Sequence, residues 1–145
     1  MSRFLGLIPA RGGSKGIPRK NLVLLAGKPL IQYTIDAALS CRSLDRVILS
    51  TDDEEIAEYG RQAGVEVPFI RPAELATDEA STRVVQRHAL KWCQEDEGEL
   101  PEALVTLQAT SPLRTNHHID EAVQRFRKEK ADSVLGVTQV RDHPY

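Results

Sequence analysis

Two cysteines in 145 residues, Cys41 and Cys93, are too few for a disulfide framework, and they stand in no C-x-x-C spacing. They read as buried thiols in a reducing compartment, which excludes a stapled extracellular scaffold. No apolar run approaches the length of a membrane span, and Pro9, Arg11 and the neighbouring glycines interrupt the N-terminal segment before it becomes the apolar stretch of a signal peptide. A cytoplasmic protein without a membrane partner is therefore expected. Acid is missing from one end only. Residues 1–35 hold Arg3, Arg11, Lys15, Arg19, Lys20 and Lys28 but none of the 21 acids. The formal net charge of −2 lacks the basic excess of a nucleic-acid binder, so the basic charge is local, and a local basic patch on an acidic protein suits a small polyanion.

What is present is an ordinary globular composition, 41% hydrophobic and 28% charged, on a chain long enough for one domain with its own core. No internal repeat, low-complexity run or linker divides it. Short β-rich runs alternate with longer helical periods, the pattern of a parallel α/β sheet. Phe4–Ile8 and Arg46–Ser50 read as buried strands, and Val65–Ile70, Ala103–Gln108 and Ser133–Val140 as further strands, the first of these weakened by Pro68. Ile31, Ile35, Ala38 and Leu39 share one helical face. Val85, His88, Ala89 and Trp92 share another, and Ile119, Ala122, Val123 and Phe126 a third. Asp52 with Glu55 has the form of a capping box, before a helix that Gly64 ends in a left-handed conformation.

Ligands of such sheets bind beyond the carboxyl ends of the strands, which directs attention to Pro9–Asn21, Thr51–Asp53 and Ala109–Arg114. The first segment offers three glycines, a serine, an asparagine and four cations directly after a strand. Glycines let backbone N–H groups approach an anion, and Arg11, Lys15 and Lys20 can neutralise a polyphosphate, Arg as a planar fork and Lys as a point charge. Gly12, Gly13 and Gly16 fail the G-x-G-x-x-G dinucleotide spacing, and Lys15 is followed by Gly16 where a Walker loop needs Ser or Thr. Neither a dinucleotide fold nor P-loop hydrolysis is indicated. On these residues alone the loop is either an anion cradle or a solvated basic turn.

The run IPARGGSKGIPRKN, followed by GKPLIQYTIDAAL, VILSTDDEEIA, RPAELATDEAS and LQATSPLR, resembles the acylneuraminate cytidylyltransferase family, the CMP-sialic acid synthetases, over nearly the whole chain. The resemblance implies a three-layer, Rossmann-like nucleotidyltransferase fold with a mostly parallel sheet. It also implies CMP transfer from CTP to an acidic nine-carbon sugar. Arg11 and Lys15 would be catalytic, on the phosphates and the departing pyrophosphate. Ala10, Gly12, Gly13, Ser14, Lys20 and Asn21 would complete the nucleotide loop. Arg71, Ala80 and Ser81 would enclose the cytosine, with Thr77, Asp78 and Ser81 capping the helix that follows. Gln108, Ser111 and Arg114 would face the sugar, Arg114 having a loop-locking salt bridge as its alternative role. Ala109 departs from the family, where proline is common.

His88 reads as a packed, hydrogen-bonded core residue, and His117 and His118 as the first turn of a helix. His143 with Pro144 resembles the family's entry to its sugar-binding and dimerisation segment. The family also implies Mg2+ held by an Asp-x-Asp pair, and a homodimer. No such pair occurs here, and the adjacent Asp52 and Asp53 do not replace it. The chain therefore reads as the CTP-binding part of a cytidylyltransferase domain, residues 1–145, without the C-terminal sugar-binding segment. Two alternatives stand beside the enzyme: a catalytically incompetent nucleotide-binding module, and a 3-deoxy-manno-octulosonate cytidylyltransferase.

Overall fold

The computed structural model describes residues 4–139. Strand β1 (Phe4–Pro9) is followed by a small hairpin, β2 (Leu24–Leu25) and β3 (Lys28–Pro29), then by helix α1 (Leu30–Leu39). Next come β4 (Arg46–Ser50), α2 (Glu54–Gln62), α3 (Thr82–Trp92), β5 (Ala103–Thr106) and α4 (Asn116–Glu129). The main sheet has the order β4-β1-β5, parallel throughout, with Leu7 opposite Ile48 and Leu5 opposite Leu104.

The central strand is apolar on both faces because both are covered. Ile8, Val47, Leu49 and Leu107 join Ile31 and Ile35 of α1, Ile56 of α2 and Ile119 of α4 in one core. On the opposite face Leu5, Leu7 and Ile48 pack with Ala89 and Cys93, and Trp92 and Phe69 border them. The result is three layers, with α1, α2 and α4 on one side and α3 on the other. The chain moves from β1 to β4 on one flank and then crosses to β5 on the other. The order thus reverses at β1, the topological switch point where open α/β sheets hold ligands. Gly60 of α2 sets the closeness of one layer, because a Cβ there would lie 2.4 Å from Leu49 Cδ2.

Several expectations are corrected. Val65–Ile70 forms no strand but a single bridge, Glu66 to Ile48. Leu49 N–H donates to the Glu66 carbonyl at 2.8 Å, Pro68 has no N–H to continue the ladder, and the next bond to the β4 side is from Arg71 N–H to the Thr51 carbonyl at 2.8 Å. The described part of Ser133–Val140, through residue 139, has no strand pairing and is exposed. Leu39 ends α1 at 48% exposure instead of joining its buried face. The cap of α2 is Asp53, not Asp52: its carboxylate accepts from Ile56 N–H at 2.9 Å. Gly64 has the left-handed φ of +92° expected just beyond that helix.

Candidate active site

Because β1, β4 and β5 are parallel, the three segments beyond their carboxyl ends meet at one edge of the sheet. The loop after β1 occupies the centre. Ala10, buried, extends the strand by donating its N–H to the Ser50 carbonyl at 2.9 Å. Gly12 then passes against the turn after β4. Its N–H donates to Asp52 Oδ1 at 2.9 Å, and a Cβ would stand 2.7 Å from Asp53 Oδ2 and 2.8 Å from Asp53 Cβ. Only glycine fits there. Gly13 and Gly16 have open space where a Cβ would go, so their role is not steric.

The rest of the loop is tied from within. Asn21, buried, donates through Nδ2 to the Arg11 carbonyl at 3.0 Å, and Ser14 Oγ donates to the Ile17 carbonyl while accepting from Lys20 N–H at 3.3 Å. Arg19, in a left-handed conformation at φ 51°, forks onto Asp53 at 3.0 and 3.1 Å and reaches Glu55 at 2.5 Å. Its hydrogen bonds with Asp53, against a small cost of burial, raise its pKa and lower that of Asp53. Of the four cations, Arg19 is therefore a clamp between the loop and α2.

Arg11 and Lys15 behave differently. Both reach the same carboxylate, that of Asp78, Arg11 directly and Lys15 at 3.4 Å, and neither has another acidic partner among the described residues. These pairs hold the Asp78 carboxyl below its usual range, the Arg11 hydrogen bond contributing most. Two cations converging on one oxyanion is the arrangement a phosphate group would meet. Sequence reading missed this use of Asp78. The signal available was a cation-rich segment with no acid of its own.

Behind them lies Arg71, 4% exposed, with Nε buried and unpartnered. Desolvation lowers its pKa, Asp52 opposes that shift and Arg11 adds to it. Ala80 and Ser81 lie in the segment before α3. The expected cap there is absent: Ser81 occupies the N-cap position without a side-chain hydrogen bond, and Asp78 faces the cations instead.

On the β5 side, the Gln108 carbonyl accepts from Arg114 at 3.1 Å, and Ser111 N–H reaches the same oxygen at 3.2 Å. Arg114 thus locks the turn through a carbonyl, not through the salt bridge considered above. Its second terminal nitrogen is buried and unpartnered, and burial lowers its pKa. The Gln108 and Ser111 side chains are exposed, and Ala109 is buried in the core.

His88 packs edge-on against Phe69, with ring centroids 4.6 Å apart, and burial lowers its pKa. Its Nδ1 is buried without a partner, so it is packed but not bonded there as expected. His118 closes a capping box with Thr115. His143 lies outside the described residues. Among the described residues no group of three or more His, Cys, Asp or Glu is placed to hold a metal ion. Asp52 and Asp53 are engaged by Gly12, Arg19 and Ile56, so the residues present do not build a magnesium site by themselves. Nor is any helix among them long and apolar enough to cross a membrane.

A parallel sheet covered by helices on both faces, with a cationic, glycine-bearing loop at its switch point, defines a three-layer α/β domain. More particularly, the chain belongs to the cytidylyltransferase family, whose model matches residues 5–143. It is 38% identical over 135 residues to the pseudaminic acid cytidylyltransferase of Campylobacter jejuni, covering 93% of this chain and 58% of that one. To the N-acylneuraminate cytidylyltransferase of Streptococcus agalactiae it is 39% identical over 140 residues, covering 95% and 32% respectively. The chain thus spans only about a third to three fifths of these relatives. A CMP:2-keto-3-deoxy-manno-octonic acid synthetase solved with CTP superposes with a TM-score of 0.71 at 24% identity, over 90% of this chain and 49% of that one. This last likeness supports the three-layer fold.

Proposed function

We propose that this chain carries the nucleotide-binding half of an enzyme that transfers CMP from CTP to the anomeric hydroxyl of a nonulosonic acid, N-acetylneuraminate or a relative, releasing pyrophosphate. The observation that carries the reading is the convergence of Arg11 and Lys15 on one oxyanion beside the central strand. In the reaction the sugar hydroxyl forms a bond to the α-phosphorus, the bond to the β-phosphate oxygen breaks, and the hydroxyl proton is lost. Negative charge then grows on the departing pyrophosphate. Fixed cations aimed at that charge stabilise the transition state more than the ground state.

In this assignment Arg11 and Lys15 are the catalytic cations, and Lys20, Ser14, Gly12, Gly13 and Ala10 shape the phosphate loop. Asn21 holds that loop through the Arg11 carbonyl. Arg71, Ala80 and Ser81 take the nucleoside, and Gln108 and Ser111 take the sugar. Arg114 supports them through the Gln108 carbonyl. The names of the two enzymes matched at 38% and 39% identity favour a nonulosonic acid over the eight-carbon sugar acid of the structural neighbour. Magnesium accompanying the nucleotide, a homodimer and a cytoplasmic location belong to the same proposal.

The test is pyrophosphate release dependent on CTP, an acidic nine-carbon sugar and magnesium, with Lys15→Ala and Arg11→Ala lowering kcat by about 10²-fold or more if each stabilises the leaving group. No release from any nonulosonic acid would sink the enzyme assignment. Because Asp52 and Asp53 are held by Gly12, Arg19 and Ile56 and do not replace the Asp-x-Asp pair, a binding module without turnover is the second reading. Calorimetry showing CTP binding without product would select it.

A further inference from the structure

Among the described residues the segment 77–81 has one polar anchor. Its backbone bonds are local, Ala80 N–H to the Thr77 carbonyl at 3.1 Å and Val84 N–H to the Ser81 carbonyl at 3.0 Å. Ser81 makes no side-chain cap to α3. Among the described residues, the polar contacts that join this segment to the rest of the chain are those of Asp78 with Arg11 and Lys15. The same two cations are the ones assigned above to the nucleotide phosphates. Lys15 is 79% exposed and Asp78 37%, so the pair is open to solvent and can exchange partners.

We propose that Asp78 is an internal competitor of the polyphosphate: its carboxylate occupies the cradle when no phosphate is there, and returns to it to displace pyrophosphate after transfer. Two observations point the same way. Arg11 and Lys15 have no other acidic partner among the described residues, so the carboxylate is their counter-ion. And Asp78 sits on a segment with no second polar anchor among the described residues, so it can leave without breaking a helix or strand. An oxyanion with several charges that bridges both cations outcompetes one carboxylate, whereas a ligand that bypasses the cradle meets no competition. The residue thus sets how tightly polyphosphates are held, without touching the nucleoside. This rests on the phosphate role of Arg11 and Lys15 proposed above.

The experiment is calorimetric titration of wild type, Asp78→Asn and Asp78→Glu with CTP, inorganic pyrophosphate and cytidine. Exposed ion pairs are weak, so removing the competitor is expected to tighten CTP and pyrophosphate by about three- to tenfold. Cytidine should be unchanged, and Asp78→Glu should restore wild-type values. Stopped-flow release of pyrophosphate should slow in Asp78→Asn by a similar factor. If wild type binds CTP but Asp78→Asn binds CTP and pyrophosphate equally or more weakly, Asp78 positions the cations and the competitor role is wrong. Failure of wild type and variant alike to bind either polyphosphate would overturn the cradle reading, and this inference with it.

Discussion

Replacing Gly12 with alanine should damage both stability and polyphosphate binding, and the contrast with Gly13 makes the cause readable. A Cβ at position 12 would stand 2.7 Å from Asp53 Oδ2 and 2.8 Å from Asp53 Cβ, whereas one at position 13 meets nothing within 4 Å. The oxygen could swing aside, but the Cβ is fixed to the backbone, so the loop or the head of α2 must move. Asp53 is the N-cap of α2 through Ile56 N–H at 2.9 Å, and it holds Arg19 at 3.0 and 3.1 Å. Loss of a cap costs about 1 kcal/mol and overpacking of this kind about 1–3 kcal/mol. Part of the overpacking cost is relieved when the loop shifts, which leaves about 2 kcal/mol for Gly12→Ala. For a domain of this size that lowers the Tm by about 4–8 °C. Urea denaturation and calorimetric titration with pyrophosphate are the assays. Gly13→Ala should lie within about 0.5 kcal/mol of wild type. If the two variants unfold at the same urea concentration, the close approach of Gly12 to Asp53 does not shape the loop.

Other expectations follow from contacts elsewhere. Asp120 on α4 accepts from Cys41 Sγ at 3.0 Å, Arg42 N–H at 3.1 Å, Ser43 N–H at 2.8 Å and Ser43 Oγ at 2.6 Å, tying α4 to the end of α1. Burial alone would raise its pKa, but these donors together lower it below 3.8. A depressed carboxylate stabilises the fold above its unfolded pKa and loses that contribution as the pH falls through its folded value. Asp120→Asn should therefore cost about 1–2 kcal/mol near neutral pH and progressively less as the pH falls below the ordinary carboxylate range, measured by urea denaturation at neutral and acidic pH. An equal loss at the two pH values would show that charge is not the cause. Gly60→Ala, whose Cβ would lie 2.4 Å from Leu49 Cδ2, should cost about 1–3 kcal/mol, and Leu49→Ala in the same chain should remove part of that penalty. Strict additivity of the two would contradict the packing described.

Where sequence and structure agree, local pattern and tertiary environment coincide. Arg46–Ser50 is a strand with the bounds its apolar run gives, because both faces of β4 are covered. Gly64 lies where a left-handed residue was needed. The misses come from competition that no short window shows. Val65–Ile70 has strand composition, yet Pro68 lacks the donor and one bridge is what remains. Asp52 has the capping-box spacing to Glu55 in sequence, yet Gly12 N–H takes Asp52 while Ile56 N–H takes Asp53, which becomes the cap. Asp78 looked like a cap because its neighbours precede a helix, and its partners come from a loop far away in sequence. The loop after β1 was readable as a basic, glycine-rich turn after a strand, but the division of its cations, with Arg19 clamped to α2 while Arg11 and Lys15 share one anion, needed the fold.

The central claim is that Arg11 and Lys15 form the binding site for the nucleotide's phosphates. Titration of the chain with CTP, CMP and cytidine, repeated for a variant carrying both Arg11→Ala and Lys15→Ala, tests it most directly. The account predicts that wild type binds CTP far more tightly than cytidine, with an affinity that falls as salt rises, and that the double variant loses this preference while still binding cytidine as wild type does. Equal loss of CTP and cytidine binding, or a CTP preference that survives in the double variant, would contradict it.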